Sequence, residues 1–454
     1  MKLTVIGGGG VRSMFLAKSL ARKATSLGIT ELCFMDNNPK KLSIYGEMAR
    51  KVASIIEPNL KFSLTTDAVE AVTDADYVIT TIRVGEDDMR VKDERIALDH
   101  GVIGQETTGV AGFSFAMRSI PALIEYCELI KKYSKPSVKV FNFTNPAGIV
   151  SQALREAGYH FTFGICDAPS GMLAQFKKIY GKEDSTIEGE ISGLNHCSFF
   201  TSIKLDGEEI IPKIINDPRA YVDTDIRYFE KDLLLEKGYV PNEYLYYYFY
   251  ADNALKNIQS STETRGELIA RVNRNMTAEL SKIDVSKDFG KALEIYEKWY
   301  GVRDGSYMAN ETGIKRNYEW KFDIYGGGDD GYAGVAIRYI EIVNEDKVED
   351  MVLCVPNGDA IPYLDFSDVV EVTATVSKRG VVPHRFGYLG AYEVDLLQRV
   401  KEYERLGARA ILNRDRALAL KALSIHPLMV VEGAENNILE AYIEHNKEYC
   451  EGWK

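Results

Sequence analysis

A chain of 454 residues with 45% apolar and 27% charged residues has the balance of a soluble globular protein, and its length suits two or three compact units. A net charge of −12 leaves no basic excess to neutralise phosphates, which argues against nucleic acid or an anionic membrane surface as the main partner. No run of about 18 apolar residues occurs, so no membrane-spanning helix is expected.

The N-terminal apolar run is short and passes straight into glycines, unlike a signal peptide. The cysteines (Cys33, Cys127, Cys166, Cys197, Cys354 and Cys450) are scattered without a CxxC, as in a protein of the reducing cytoplasm. A cytoplasmic protein is the expectation.

In chain order, Lys2 to Ile6 is a short strand, Gly7 to Gly10 a turn, and Val11 to Ala24 a helix with Met14, Leu16, Ala17, Leu20 and Ala21 at helical spacing. Glu31 to Met35 is a second strand, closed by Asp36-Asn37-Asn38-Pro39, which also caps the helix beyond. Phe62 to Thr65, Tyr77 to Ile82 and Val138 to Asn142 read as strands. Asp67 to Thr73 and Phe115 to Tyr133 read as helices. Alternating strand and helix predicts an α/β doubly wound parallel sheet of Rossmann type over residues 1–190. Residues 191–454 mix strand-like pieces (Ile191 to Leu205), polar helices, a tyrosine-dense segment, a turn-rich stretch at Gly326 to Gly334 and a helical end from Ala391 to Lys447. They predict an α+β domain that supplies the substrate side and subunit contacts.

Glycines between a buried strand and a helix let the backbone approach a pyrophosphate, and the helix N-terminus offers amide donors and a positive dipole end. The GxGxxG spacing is imperfect: counted from Gly7 the third position is Arg12, and from Gly8 it is Ser13. The N-terminal position and Asp36, at the end of the second strand where ribose hydroxyls are held, still point to a dinucleotide on Gly7, Gly8, Gly9 and Gly10. An acid there favours NAD, because it would repel a 2′-phosphate.

An ordered set of short motifs follows. It comprises Thr81-Ile82-Arg83-Val84-Gly85 with Met89-Arg90, Gly104-Gln105-Glu106-Thr107, Asn142-Phe143-Thr144-Asn145-Pro146, Cys166-Asp167-Ala168-Pro169, Gly193-Leu194-Asn195-His196, Pro241-Asn242-Glu243-Tyr244-Leu245, Thr264-Arg265 and Val355-Pro356-Asn357-Gly358. Together they resemble the family 4 glycoside hydrolases, NAD- and divalent-metal-dependent glycosidases, along nearly the whole chain.

The resemblance implies that Cys166 and His196 hold the metal, with substrate oxygens as further ligands; a manganese-type ion is the expectation, although thiolate is a softer partner than manganese usually takes. It implies Tyr244 as the base, a phenol whose pKa a nearby cation must lower, with Glu106 tuning it. Asp167 matches the acid that protonates the leaving oxygen. Arg90, Asn145 and Arg265 match substrate-contacting positions, and arginine suits a phosphate. On residue type alone, Cys166 and His196 could be core residues, Glu106 a surface or capping carboxylate, Asp167 a helix N-cap, and most of the tyrosines after Tyr244 a core face.

The activity implied is hydrolysis of a glycoside by oxidation at carbon 3, proton removal at carbon 2, elimination, water addition and re-reduction, an exception to the two-carboxylate scheme. Asp167 after the metal cysteine points to 6-phosphoglucosides, a phosphorylated disaccharide or glycoside, with the anomer open. Gly10, Val11 and Arg12 depart from the family's Gly-Gly-Gly-Ser-x-x-x-Pro turn. A homodimer or homotetramer is implied. The alternative is an NAD-dependent 2-hydroxyacid dehydrogenase of malate or lactate type, with a His/Asp pair and an arginine clamp in place of a metal thiolate.

Overall fold

The computed structural model describes residues 1–316, 319–326, 331–449 and 451–454. Cys450 and part of the turn-rich stretch at Gly326 to Gly334 lie outside them. Strands β1 (Lys2–Ile6), β2 (Glu31–Met35), β3 (Lys61–Thr65), β4 (Tyr77–Thr80), β5 (Lys139–Asn142) and β6 (Thr162–Gly164) run parallel in the order 3-2-1-4-5-6, the doubly wound order expected. Leu3, Val5 and Ile6 are fully buried, as strands covered on both faces require.

Helix Ser13–Leu27 packs on one face, placing Leu16, Ala17 and Leu20 in the main core with Leu3, Val5 and Phe34. Helices Ala68–Val72 and Ala111–Tyr133 cover the other face, where Ala71, Val72 and Ile130 meet Ile6, Cys33 and Val78. The first helix starts at Ser13, two residues later than its apolar spacing suggests, because Gly10 to Arg12 complete the turn; it ends at Gly28, which takes φ 70°. Strand β4 stops at Thr80 rather than Ile82, since the Ile82 amide turns away to donate to the Thr144 hydroxyl at 3.0 Å. The helix expected from Phe115 begins four residues earlier, at Ala111.

Beyond residue 186 the chain forms a hairpin, β7 (Ile187–Leu194) and β8 (Cys197–Leu205), joined by β9 (Glu208–Glu209) and β10 (Val240–Pro241) into a small antiparallel sheet. The sequence gives no local signal for the next step. Strands β11 (Val348–Pro356), β12 (Val369–Ser377) and β13 (Gly380–Pro383) join the edge of the parallel sheet antiparallel, through Cys354 opposite Gly164. One nine-stranded sheet thus runs from residue 2 to residue 383. The end is helical, as expected: Ala391–Asn413, Arg416–Ile425 and Ala434–His445 pack with Ala111–Tyr133 and Ala147–Glu156.

The glycine turn is dictated by close approach. Gly7 sits at φ 101°, and a Cβ there would lie 2.5 Å from the Thr81 carbonyl oxygen; one on Gly8 would lie 2.6 Å from the Phe34 Cβ. Gly7→Ala should therefore cost about 2 kcal/mol or more. Urea unfolding checks this, and a wild-type midpoint in the variant would contradict the tight-turn account.

Candidate active site

The carboxyl ends of the parallel strands open on a cavity of about 720 Å³, lined at one end by Gly9, Gly10 and Asn38 and at the other by His196, Tyr244 and Arg265. Such a crevice at the strand-order switch is where doubly wound sheets bind ligands.

At the nucleotide end, the Gly7 and Gly8 amides donate to the Met35 carbonyl at 2.9 and 2.8 Å, closing the turn onto β2. Asp36 is engaged by the chain itself: its carboxylate accepts from the Gly9 amide and from the Asn38 amide, both at 2.9 Å. Burial raises its pKa, and those two amides oppose the shift. A carboxylate held this way fixes the turn and keeps lone pairs for ribose hydroxyls. Asn38 caps the short helix Pro39–Lys41 by accepting from the Lys41 amide at 3.1 Å, as its position suggested. The residues present therefore fit a dinucleotide.

At the far end, Cys166 follows β6 and His196 sits at the tip of the β7–β8 hairpin with φ 60°, a backbone uncommon outside glycine. The Cys166 Sγ and His196 Nε2 atoms are 3.5 Å apart. That span matches a thiol–imidazole hydrogen bond, and it is also short enough for the two atoms to be ligands of one ion. Among the described residues no group of three or more His, Cys, Asp or Glu could hold a metal. The pair would leave the remaining positions to oxygens from elsewhere, which fits the expected site.

Burial drives the local electrostatics. It pushes the Cys166 thiol well up, with Glu371 and Asp167 adding to the effect, and it lowers the His196 imidazole to about 3, so the ring is neutral and free to act as a ligand. Tyr244 stacks on His196 with ring centroids 4.0 Å apart. Its amide is capped by the Asn242 side chain at 3.0 Å. Burial and then Glu243 push the phenol above its ordinary value, the wrong direction for a base, so a nearby cation is needed to bring it down. Tyr246 and Tyr247 are buried in the core, as the aromatic-face reading held.

Glu106 is neither a surface nor a capping carboxylate: it is buried and held between two arginines, Arg83 at 2.5 Å and Arg90 at 2.9 Å. Burial alone would raise its pKa, but Arg83 and Arg90 override it and hold the carboxyl at about 2. Arg90 also pairs with Glu94 at 2.8 Å, and Glu94 in turn accepts from the Gly266 amide at 2.7 Å, at the start of helix Arg265–Leu280. This ladder ties Arg90 and Arg265 to one cavity wall. Asp167 occupies the N-cap position of helix Ala168–Tyr180, but its side chain does not cap; an oxygen lies 3.9 Å from Arg12 and both residues line the cavity. Asn145 and Arg265 line it too.

The motifs contain Arg83 but assign it no role, and Glu371 lies outside them. Glu371 on β12 accepts from the Asn195 side chain at 2.8 Å and from the Ser198 hydroxyl at 3.0 Å, bracing the His196 hairpin from the added strands. An acid inside the run Val369-Val370-Glu371-Val372 was the available signal, since a charge in a fully buried strand needs partners.

Residues 2–182 match the family described as "Family 4 glycosyl hydrolase" and residues 191–429 its C-terminal domain. A Bacillus subtilis protein named probable 6-phospho-beta-glucosidase is 29% identical over 99% of this chain and 97% of its own length. A Clostridium acetobutylicum phospho-alpha-glucosidase is 27% identical over 98% of both chains. The Thermotoga maritima 6-phospho-beta-glucosidase, solved with manganese, NAD⁺ and glucose 6-phosphate, superposes with a TM-score of 0.80 at 27% identity, covering 99% of this chain and 100% of that one.

Because Glu106 titrates at about 2 in the folded chain against an ordinary 4.5, its ionised form stabilises the fold above pH 4.5, and that contribution is lost as pH falls toward 2. Glu106→Gln should flatten this acid limb and, by stranding Arg83 and Arg90, destabilise the protein at neutral pH by about 3 kcal/mol. Denaturant unfolding between pH 2 and 7 reads both effects.

Proposed function

The chain belongs to the family 4 glycosyl hydrolases, and on that premise we propose that it hydrolyses 6-phosphoglucosides with NAD and a divalent cation of manganese type as resident cofactors. The observation that carries the reading is that His196 and the stacked Tyr244 line the same cavity as Gly9 and Gly10, with the Cys166 Sγ 3.5 Å from the His196 Nε2. One chain therefore presents a dehydrogenase-type nucleotide cradle and a metal-type ligand pair to one substrate.

The turn at Gly7, Gly8, Gly9 and Gly10, with Asp36 behind it, would hold NAD; Cys166 and His196 would hold the cation. Bound there, the two supply a hydride acceptor for carbon 3 and positive charge beside it, which acidifies the proton on carbon 2. Tyr244 takes that proton. Asp167, at the cavity wall and 3.9 Å from Arg12, gives a proton to the leaving glycosidic oxygen. Glu106 stays ionised, so it holds Arg83 and Arg90 in place, and its charge reaches His196, on which Tyr244 stacks. Arg90, Asn145 and Arg265 line the space for the sugar. Relatives of both anomeric specificities match at similar identity, so the proposal covers 6-phospho-α- and 6-phospho-β-glucosides alike.

A 2-hydroxyacid dehydrogenase would need an aspartate on its catalytic imidazole. The His196 Nε2 faces a cysteine, and its Nδ1 has no partner among the described residues. The reading further includes a cytoplasmic homodimer or homotetramer with no nucleic-acid partner. No helix among the described residues is long and apolar enough to cross a membrane.

A panel of α- and β-nitrophenyl glucosides, with and without the 6-phosphate, NAD, Mn²⁺ and reductant, tests the proposal. Turnover should require NAD and Mn²⁺ and favour the phosphorylated compounds; NADH accumulating on malate or lactate with no glycoside cleavage would sink it. Cys166→Ser should remove metal-dependent turnover while NAD binding persists. Loss of both together would make Cys166 a core residue instead.

A further inference from the structure

Glu243 is a buried carboxyl at the cavity that the proposed reaction does not use. Its Oε2 atom has no hydrogen-bond partner among the described residues. Burial and then Asp225 push the group up to about 8. Its other oxygen accepts from the Tyr307 hydroxyl at 3.1 Å, and a second hydrogen bond joins that hydroxyl to the Tyr244 phenol. Tyr307 lies just past helix Phe289–Gly305, and it also lines the cavity.

Tyr307 is held from behind as well. The Arg316 guanidinium lies over its ring, 4.8 Å from the centroid, and pairs with Asp225 at 2.5 Å. Asp225 is fastened twice to Gln175. Its amide donates to the Gln175 side-chain oxygen at 2.8 Å, and its carboxylate accepts from the Gln175 side-chain nitrogen at 2.7 Å. Gln175 belongs to helix Ala168–Tyr180, the helix that Asp167 opens. An unbroken series of contacts therefore joins Tyr244 to the helix that carries Asp167, through stretches of chain far apart in sequence.

We propose that Tyr307, backed by Arg316 and Asp225, is a positioning residue that aims the Tyr244 phenol at carbon 2 and sets its distance from Asp167. The inference rests on the reading of Tyr244 as base and Asp167 as acid. Those two groups act on neighbouring atoms of one sugar, so their separation must be held to a fraction of an ångström. Glu243 is the acceptor that fixes the Tyr307 hydroxyl. A planar guanidinium stacked on the ring fixes the plane in which that hydroxyl lies.

The test uses the NAD- and Mn²⁺-loaded protein, its Tyr307→Phe and Arg316→Lys variants, and nitrophenyl and methyl 6-phosphoglucosides, each also made with deuterium at carbon 2. Tyr307→Phe keeps the ring beneath Arg316 and loses only the hydroxyl. Its kcat should fall about 100-fold on both substrates, with KM, Tm and NAD affinity close to wild type. The isotope effect on kcat should reach a full primary value, because proton removal has become the slow step. Arg316→Lys keeps a charge for Asp225 and loses the planar contact. Its kcat should fall less, and more for the methyl than for the nitrophenyl substrate, because the poorer leaving oxygen depends most on Asp167. A wild-type kcat in either variant would overturn the inference. A lower kcat in Tyr307→Phe with little or no isotope effect would overturn it too, since the loss would not pass through Tyr244. Tm and NAD affinity falling along with kcat would make the series plain structural support and overturn it as well. A wild type that cleaves no 6-phosphoglucoside ends the proposed function and this inference together, whereas an active wild type with an indifferent Tyr307→Phe ends this inference alone.

Discussion

The sulfur of Cys166 and the ring nitrogen of His196 reach to within 3.5 Å of each other from two differently built regions, one at the carboxyl edge of a parallel sheet and one at the tip of an antiparallel hairpin. Holding that approach constrains much of the molecule. The β11 to β13 strands extend the parallel sheet past β6, and Glu371 on the middle one grips Asn195 and Ser198 on either side of the hairpin tip. His196, at φ 60°, lies between these two gripped residues. The dehydrogenase-like sheet and the C-terminal strands are thus one support for the approach of Cys166 to His196.

The electrostatics around the pair are lopsided without a cation. Burial raises both the Cys166 thiol and the Tyr244 phenol, so the two groups that the proposed reaction asks to carry negative charge are disfavoured in that form. A divalent ion reverses both at once, which explains why a hydrolysis would need a metal. Glu106 is the opposite case. Two arginines keep it charged, and Glu94 with the Gly266 amide completes the row, so this side of the cavity is held by a connected set of ion pairs and hydrogen bonds.

Much of this was legible in the sequence, for identifiable reasons. Buried parallel strands are short apolar runs, and a glycine turn between strand and helix has few physical explanations, so the nucleotide half could be drawn from Lys2 to Asn142. Asn38 announced its cap. Cys166, His196 and Tyr244 could be named only through an ordered set of motifs, because a lone cysteine or histidine reads equally well as core. What stayed hidden is long-range. Nothing near Gly164 announces that Cys354 will pair beside it, and the burial of Glu106 depends on Arg83 and Arg90 folding onto it.

The central claim is that the nucleotide borrows a hydride so that Tyr244 can remove the proton on carbon 2, and then returns it. The most direct measurement is hydrolysis of a 6-phosphoglucoside in deuterium oxide, with the product examined by NMR and the nicotinamide absorbance followed throughout. The account predicts deuterium at carbon 2 of the released glucose 6-phosphate, no net accumulation of NADH, and loss of the incorporation in Tyr244→Phe. Product free of deuterium at carbon 2, formed at an undiminished rate, would contradict it.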